Sequence, residues 1–105
     1  MSKSSDLDVG QGEKTVTAAG TREPLFAGRT EEIKVLSVTI KALSTNTGKV
    51  YIGDHTVAST NGFDLDPRDS LDLSTDRADR AIDLSKIFVD AAVNGEGVRF
   101  IYLRE

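Results

Sequence analysis

The chain predicts an all-β fold: an antiparallel β-sandwich or a jelly-roll-like small barrel with at most one short helical turn. Three observations point there. Apolar and polar residues alternate at period two along 33–43, where Leu36, Val38, Ile40 and Ala42 fall on one face and Ser37, Thr39 and Lys41 on the other. Asn and Gly turn signals recur at roughly ten-residue spacing, which suits roughly six to eight short strands. Every connection is short, so antiparallel pairing dominates.

In chain order, residues 1–13 are polar, glycine-containing and aperiodic, and read as a flexible arm ahead of a single β domain over 14–105. "EKTVTA" opens that domain with β-branched alternation around Val16. In "TREPLFAGRTEE", Pro24 suits an edge or a turn because proline has no N–H for a ladder. The strand at 33–43 meets the turn "STNTG" and then "KVYIG", which predicts a hairpin. Asn61-Gly62 is a turn dipeptide, since both residues accept positive φ. "DSLDLS" reads as a short strand with Leu71 and Leu73 on one side. A last hairpin is expected from "KIFVDAAV" through "NGEG" to "VRFIYLR". The stretch 76–92 also fits helical spacing. The run Ile87-Phe88-Val89 and the tight turn after Val93 favour a strand for its second half, with one helical turn near Asp83–Lys86.

Composition narrows the classes of function. At 105 residues with 38% hydrophobic content, six aromatics and no Trp, the chain supports one thin core. It has no Cys, so disulfides and thiolate metal sites are out. "MSKSSDLDVGQGEKT" has no apolar signal region and no run approaches the ~20 apolar residues of a membrane span, so the expectation is a soluble protein made in a cytoplasm. Net charge is −4; residues 61–96 hold nine acids against four bases, whereas 1–60 are balanced. With no Lys/Arg cluster to neutralise phosphates, nucleic acid is not an expected partner.

Asp54–His55, in "YIGDHTV", holds the only histidine. A general-base histidine needs an acid orienting one ring nitrogen and a nucleophile near the other. Sequence neighbours on a strand point to opposite faces, and no G-x-S-x-G elbow exists, so a surface bend is the expected reading. Zinc would need further His or Cys. Asp64 and Asp66 share a face if extended, a spacing open to paired-carboxylate hydrolysis or weak Ca²⁺ binding. The EF-hand pattern fails, because its sixth position from Asp64 is Asp69 rather than Gly. Solvated acids that guard an edge strand explain the run. The glycines form no phosphate-binding motif. No catalytic residue, metal or cofactor is expected.

Several phrases together carry a resemblance: "TREPLF", "VLSVTIKALSTNTGKVYIGDHTVASTNGFDLDPRDSLDLS" and "DLSKIFVDAAVNGEGVRFIYL". In order and spacing, over about residues 20–104, they resemble small structural proteins of tailed-bacteriophage virions. One departure stands out: where that pattern has Pro-Gly-Glu-Ser, this chain has Pro67-Arg68-Asp69-Ser70, so a type I turn is expected instead of one needing positive φ. The resemblance implies a non-enzymatic virion protein, most often a capsid decoration or cement protein. Tail, fibre or neck accessory roles are its alternatives. It implies a major capsid protein or another virion protein as partner, a homo-oligomer with a trimer favoured, and no membrane. Against it stands a glycan-binding sandwich, which would use exposed aromatics such as Tyr51 and Tyr102. The residues expected to touch a partner are Lys3, Asp6, Asp8, Lys14, Arg22, Tyr51 and Tyr102.

Overall fold

The computed structural model describes residues 8–26, 34–75 and 81–104. Among these residues ten strands follow one another: β1 (Asp8–Thr15), β2 (Glu23–Pro24), β3 (Lys34–Val35), β4 (Ser37–Ala42), β5 (Val50–Gly53), β6 (Phe63–Leu65), β7 (Ser70–Ser74), β8 (Ile82–Asp83), β9 (Phe88–Ala91) and β10 (Gly97–Arg104). Their pairing is nested. β5 pairs with β6, β4 with β7, β3 with β8, β2 with β9 and β1 with β10, all antiparallel. The chain is thus one long ribbon folded back on itself. Lateral pairing of β4 with β10 and of β5 with β9 rolls the ribbon up. The result is two four-stranded sheets, β1-β10-β4-β7 and β2-β9-β5-β6, with the short ribbon β3-β8 beside them. This strand order is a jelly roll, so the fold class is all-β as the alternation predicts.

The core lies between the sheets. Val38, Ile40 and Ala42 of β4 meet Val98 and Phe100 of β10 on one side and Val50, Ile52, Val89 and Ala91 on the other. Fully burying one such side chain stabilises the fold by about 1.5–3 kcal/mol, which makes this small aliphatic set the main source of stability. Leu71 and Leu73 pack against it from β7, on the side their alternation indicates. Pro24 does occupy an edge strand, β2. Among the described residues the one helical turn is a 3-10 turn at Leu84–Lys86, capped by Asp83, whose carboxylate accepts the Ser85 N–H at 3.0 Å.

Four local expectations are corrected. The segments around "STNTG" and "NGEG" do not make hairpins: β4 and β5 lie in different sheets, as do β9 and β10. Period two identifies strands but not partners, and here the turns carry the chain across the sandwich. What holds them is mutual. Buried Asn46 donates its amide to the Gly97 carbonyl at 2.9 Å and accepts the Gly97 N–H at 3.2 Å. Glu96 accepts the Thr47 N–H at 2.7 Å, the Thr47 hydroxyl at 2.8 Å and the Gly48 N–H at 2.9 Å. Each crossing loop is therefore fastened to the other.

Third, the Asn61-Gly62 turn works without positive φ. The Asn61 side chain accepts the Ala58 N–H at 2.7 Å and donates to the Thr56 carbonyl at 3.1 Å, replacing backbone contortion with side-chain bonds. Fourth, Arg68 has φ 76°, the only positive φ outside glycine among the described residues. With Pro67 before it and the Asp69 N–H donating to the Asp66 carbonyl at 2.9 Å, the turn is type II, so the positive-φ turn survives without its glycine.

Part of the expected arm is strand, and its residues 1–7 lie outside the described residues. Residues 8–13 belong to β1, paired along its length with β10 from Asp8 opposite Arg104 to Thr15 opposite Gly97. Gly10 and Gly12 explain this. They share one face of β1, and the rings of Tyr102 and Phe100 lie where their Cβ atoms would be. The two rings stack with centroids 6.3 Å apart, and Phe26 tilts against both. The strand buries its partner's aromatics instead of side chains of its own.

Candidate functional site: the bare sheet face

The two sheets treat their outer faces differently. On β2-β9-β5-β6, Tyr51 stands opposite Asp90, and both are buried although both point away from the core. Loops cover them. The Gly20 N–H donates to the Asp90 carboxylate at 2.9 Å, as does the Ala91 N–H at 2.8 Å, which draws the β1–β2 loop over the sheet. Gly62 and Val57 of the β5–β6 loop close over Tyr51. The Arg22 Nε–H donates to the His55 carbonyl and joins one loop to the other.

On β1-β10-β4-β7 no described loop lies over the outer face. Register places its side chains in rows: Glu13, Arg99, Lys41 and Ser70; then Gln11, Ile101, Thr39 and Asp72; then Val9, Leu103, Ser37 and Ser74. Ile101 is 47% exposed and Val9 62%, although both are apolar. Sheet twist makes the face a shallow open concavity of about 670 Å³ running from Gln11 and Glu13 to Thr39 and Lys41 with Ile101 on its floor. Its electrostatics are mixed. Arg99 Nε lies 3.2 Å from Glu13, an exposed pair of little energetic weight, and Lys41 has no ionic partner among the described residues.

The structure scatters the residues that sequence singled out. Asp54 turns forward, not sideways: it accepts the Thr56 hydroxyl at 2.6 Å and the Thr56 N–H at 2.9 Å. Those bonds, the hydroxyl's above all, hold its carboxyl below the usual value. The His55 ring makes no hydrogen bond among the described residues, and only its carbonyl is used. Asp64 and Asp66 do share a face, where Lys49 Nζ bridges them at 3.0 and 3.2 Å. The hydrogen bond from Lys49 lowers the Asp64 pKa and its own rises in return. Among the described residues, no group of three His, Cys, Asp or Glu is placed to hold a metal ion. No described helix is long and apolar enough to cross a membrane.

Of the expected contact residues, Lys3 and Asp6 lie outside the described residues. Asp8 is exposed at the start of β1. Lys14 bonds Glu23 at 2.6 Å, and this bond, with the Thr17 N–H, lowers the Glu23 pKa; Lys14 is committed inside the domain. Arg22 is committed to His55. Tyr51 is buried and Tyr102 stacks on the inner face, so neither forms an exposed platform. The residues that sequence reasoning missed are Val9 and Ile101. A signal existed in "VRFIYLR": Ile101 and Leu103 alternate with Phe100 and Tyr102, so β10 is apolar on both faces while only one core is available. Comparison with protein-family models, with curated proteins and with solved structures finds no match to this chain.

Proposed function

We propose that this chain is a non-enzymatic structural protein of a tailed-phage virion, bound to the head surface as a decoration or cement protein. The observation that carries this reading is the bare outer face of β1-β10-β4-β7. Its exposed Ile101 and Val9 sit among Arg99, Glu13 and Lys41, an apolar centre with a charged rim, which is how protein–protein interfaces are built. A shallow, open face suits another protein surface better than a small substrate. The resemblance supplies the partner: a major capsid protein, with tail, fibre and neck proteins as the alternative sites in the virion. By the same analogy the protein is a homo-oligomer, with a trimer fitting local threefold axes of a capsid. It is made in the host cytoplasm and ends in the virion, with neither nucleic acid nor membrane as partner.

The test is cosedimentation with particles of the encoding virus prepared without this protein. The chain binds saturably, and Ile101→Lys weakens binding at least tenfold while leaving the melting temperature within a few degrees of wild type. Failure of the chain to cosediment at any concentration contradicts the reading. A glycan-binding module is the second reading, favoured by the concavity and by the use of jelly rolls in lectins. It predicts signal on a glycan array that Arg99→Ala and Lys41→Ala abolish; a blank array removes it.

A further inference from the structure

The four sheet edges are not alike. β2 has two residues, one of them Pro24, and β6 has three. β7 has five. β1 has eight, with no proline, and among the described residues it pairs with β10 alone, on one side. Proteins shorten, charge or block their edges because a free row of N–H and C=O groups invites another strand. β2 and β6 obey that rule by brevity, and β1 is the longest of the four described edges.

The free backbone groups can be assigned. The Val16 N–H donates to the Glu96 carbonyl at 2.9 Å, continuing the ladder in which Thr15 faces Gly97. Antiparallel ladders alternate, so the even residues of β1 bond β10 and the N–H and C=O groups of Val9, Gln11, Glu13 and Thr15 point outward. The other side of β10 agrees: the carbonyls of Gly97 and Leu103 accept from Leu43 at 3.1 Å and Leu36 at 2.8 Å, so its odd residues are taken by the β4 side.

We infer that this edge pairs with the same edge of a second copy, joining two four-stranded sheets into one continuous sheet across a two-fold axis at Gln11. In that register Gln11 meets its own copy, Val9 meets Glu13, and Asp8 meets Lys14. No like charges face each other along the seam, and Lys14 enters it already neutralised by Glu23 of its own copy. Gly10 and Gly12 face each other there, so at the centre of the seam no side chain of β1 crowds the inner side. Such a contact is isologous and closes at two copies. It is independent of particle binding, and it differs from the trimer that the family resemblance implies.

The experiment is the solution mass of the full chain, by light scattering across a concentration series, for wild type, Gln11→Pro and Asp8→Lys. The Gln11 N–H points outward, so proline there removes a bond of the seam and none of the ladder to β10. Wild type is a dimer, Gln11→Pro a monomer with unchanged melting, and Asp8→Lys a dimer weakened several-fold, more so at low salt. Amide exchange supplies a second readout that does not depend on a variant folding: at high concentration Val9, Gln11 and Glu13 are protected, and dilution to the monomer loses that protection. A wild-type monomer, a trimer that Gln11→Pro leaves intact, or Gln11 protection seen only with virus particles present would each overturn the pairing. None of these outcomes bears on whether Ile101 binds the particle.

Discussion

At the scale of single residues, two positions carry more than their type suggests. Arg68 holds a left-handed backbone that glycine adopts without cost, and other residues lose about 1–2 kcal/mol there. Arg68→Gly is therefore expected to stabilise the domain by about 1 kcal/mol, since relief of the strain exceeds glycine's extra entropy in the unfolded chain; thermal unfolding reads this as a rise of a few degrees. Asn46 is the opposite case, a side chain that completes its neighbour's backbone. Asn46→Ala leaves the Gly97 N–H without its partner, while the Gly97 carbonyl keeps its bond from Leu43, and is expected to cost about 1–3 kcal/mol in denaturant unfolding. Sequence could flag Asn46 as a turn residue. Its bond to Gly97, fifty-one residues on, depends on a crossing that no local pattern encodes.

At the scale of elements, alternation identified strands and misassigned neighbours. β4, β5, β9 and β10 were legible because β-branched residues repeat at period two, and Leu71 and Leu73 gave the sense of β7. The hairpins expected at "STNTG" and "NGEG" were not there, because strand–turn–strand sequences look alike whether the chain returns to the same sheet or crosses to the other. β1 was hidden for another reason: its inner face is glycine, so the apolar half of its pattern sits on β10 as Phe100 and Tyr102. Two glycines spaced i, i+2 were the available signal.

The same crossing has a pH dependence. Burial raises the Glu96 pKa, but the bonds it accepts from Gly48 and Thr47 outweigh that and hold it below 4.5. A carboxyl lowered on folding contributes stability above its unfolded value, and that contribution is lost as pH falls through the lowered one. Glu96→Gln should thus melt below wild type at neutral pH, with the gap closing as pH drops below about 4.5. A gap that stays constant down to pH ~3 would show that ionisation of Glu96 does not support the clamp.

At the scale of the whole molecule, the asymmetry between the two sheets is the feature that bears on function. One outer face is sealed by loops through Asp90, Tyr51 and the Arg22–His55 bond, and over the other, with Ile101 and Val9 upon it, no described loop lies. The expected contact residues are charged residues and tyrosines. Most of them turned out to be used internally, since charge and aromaticity serve loop anchoring and core packing as readily as recognition. The face itself is legible only once the register aligns Glu13, Arg99 and Lys41 in one row.

The most direct test of an assembly role for this face is lysine labelling on the particle. Lys41 lies on the bare face and Lys49 bridges Asp64 and Asp66 by the opposite sheet. Chains bound to virus particles should lose labelling at Lys41 and keep it at Lys49. Equal labelling of both lysines, or loss at Lys49 alone, would contradict it.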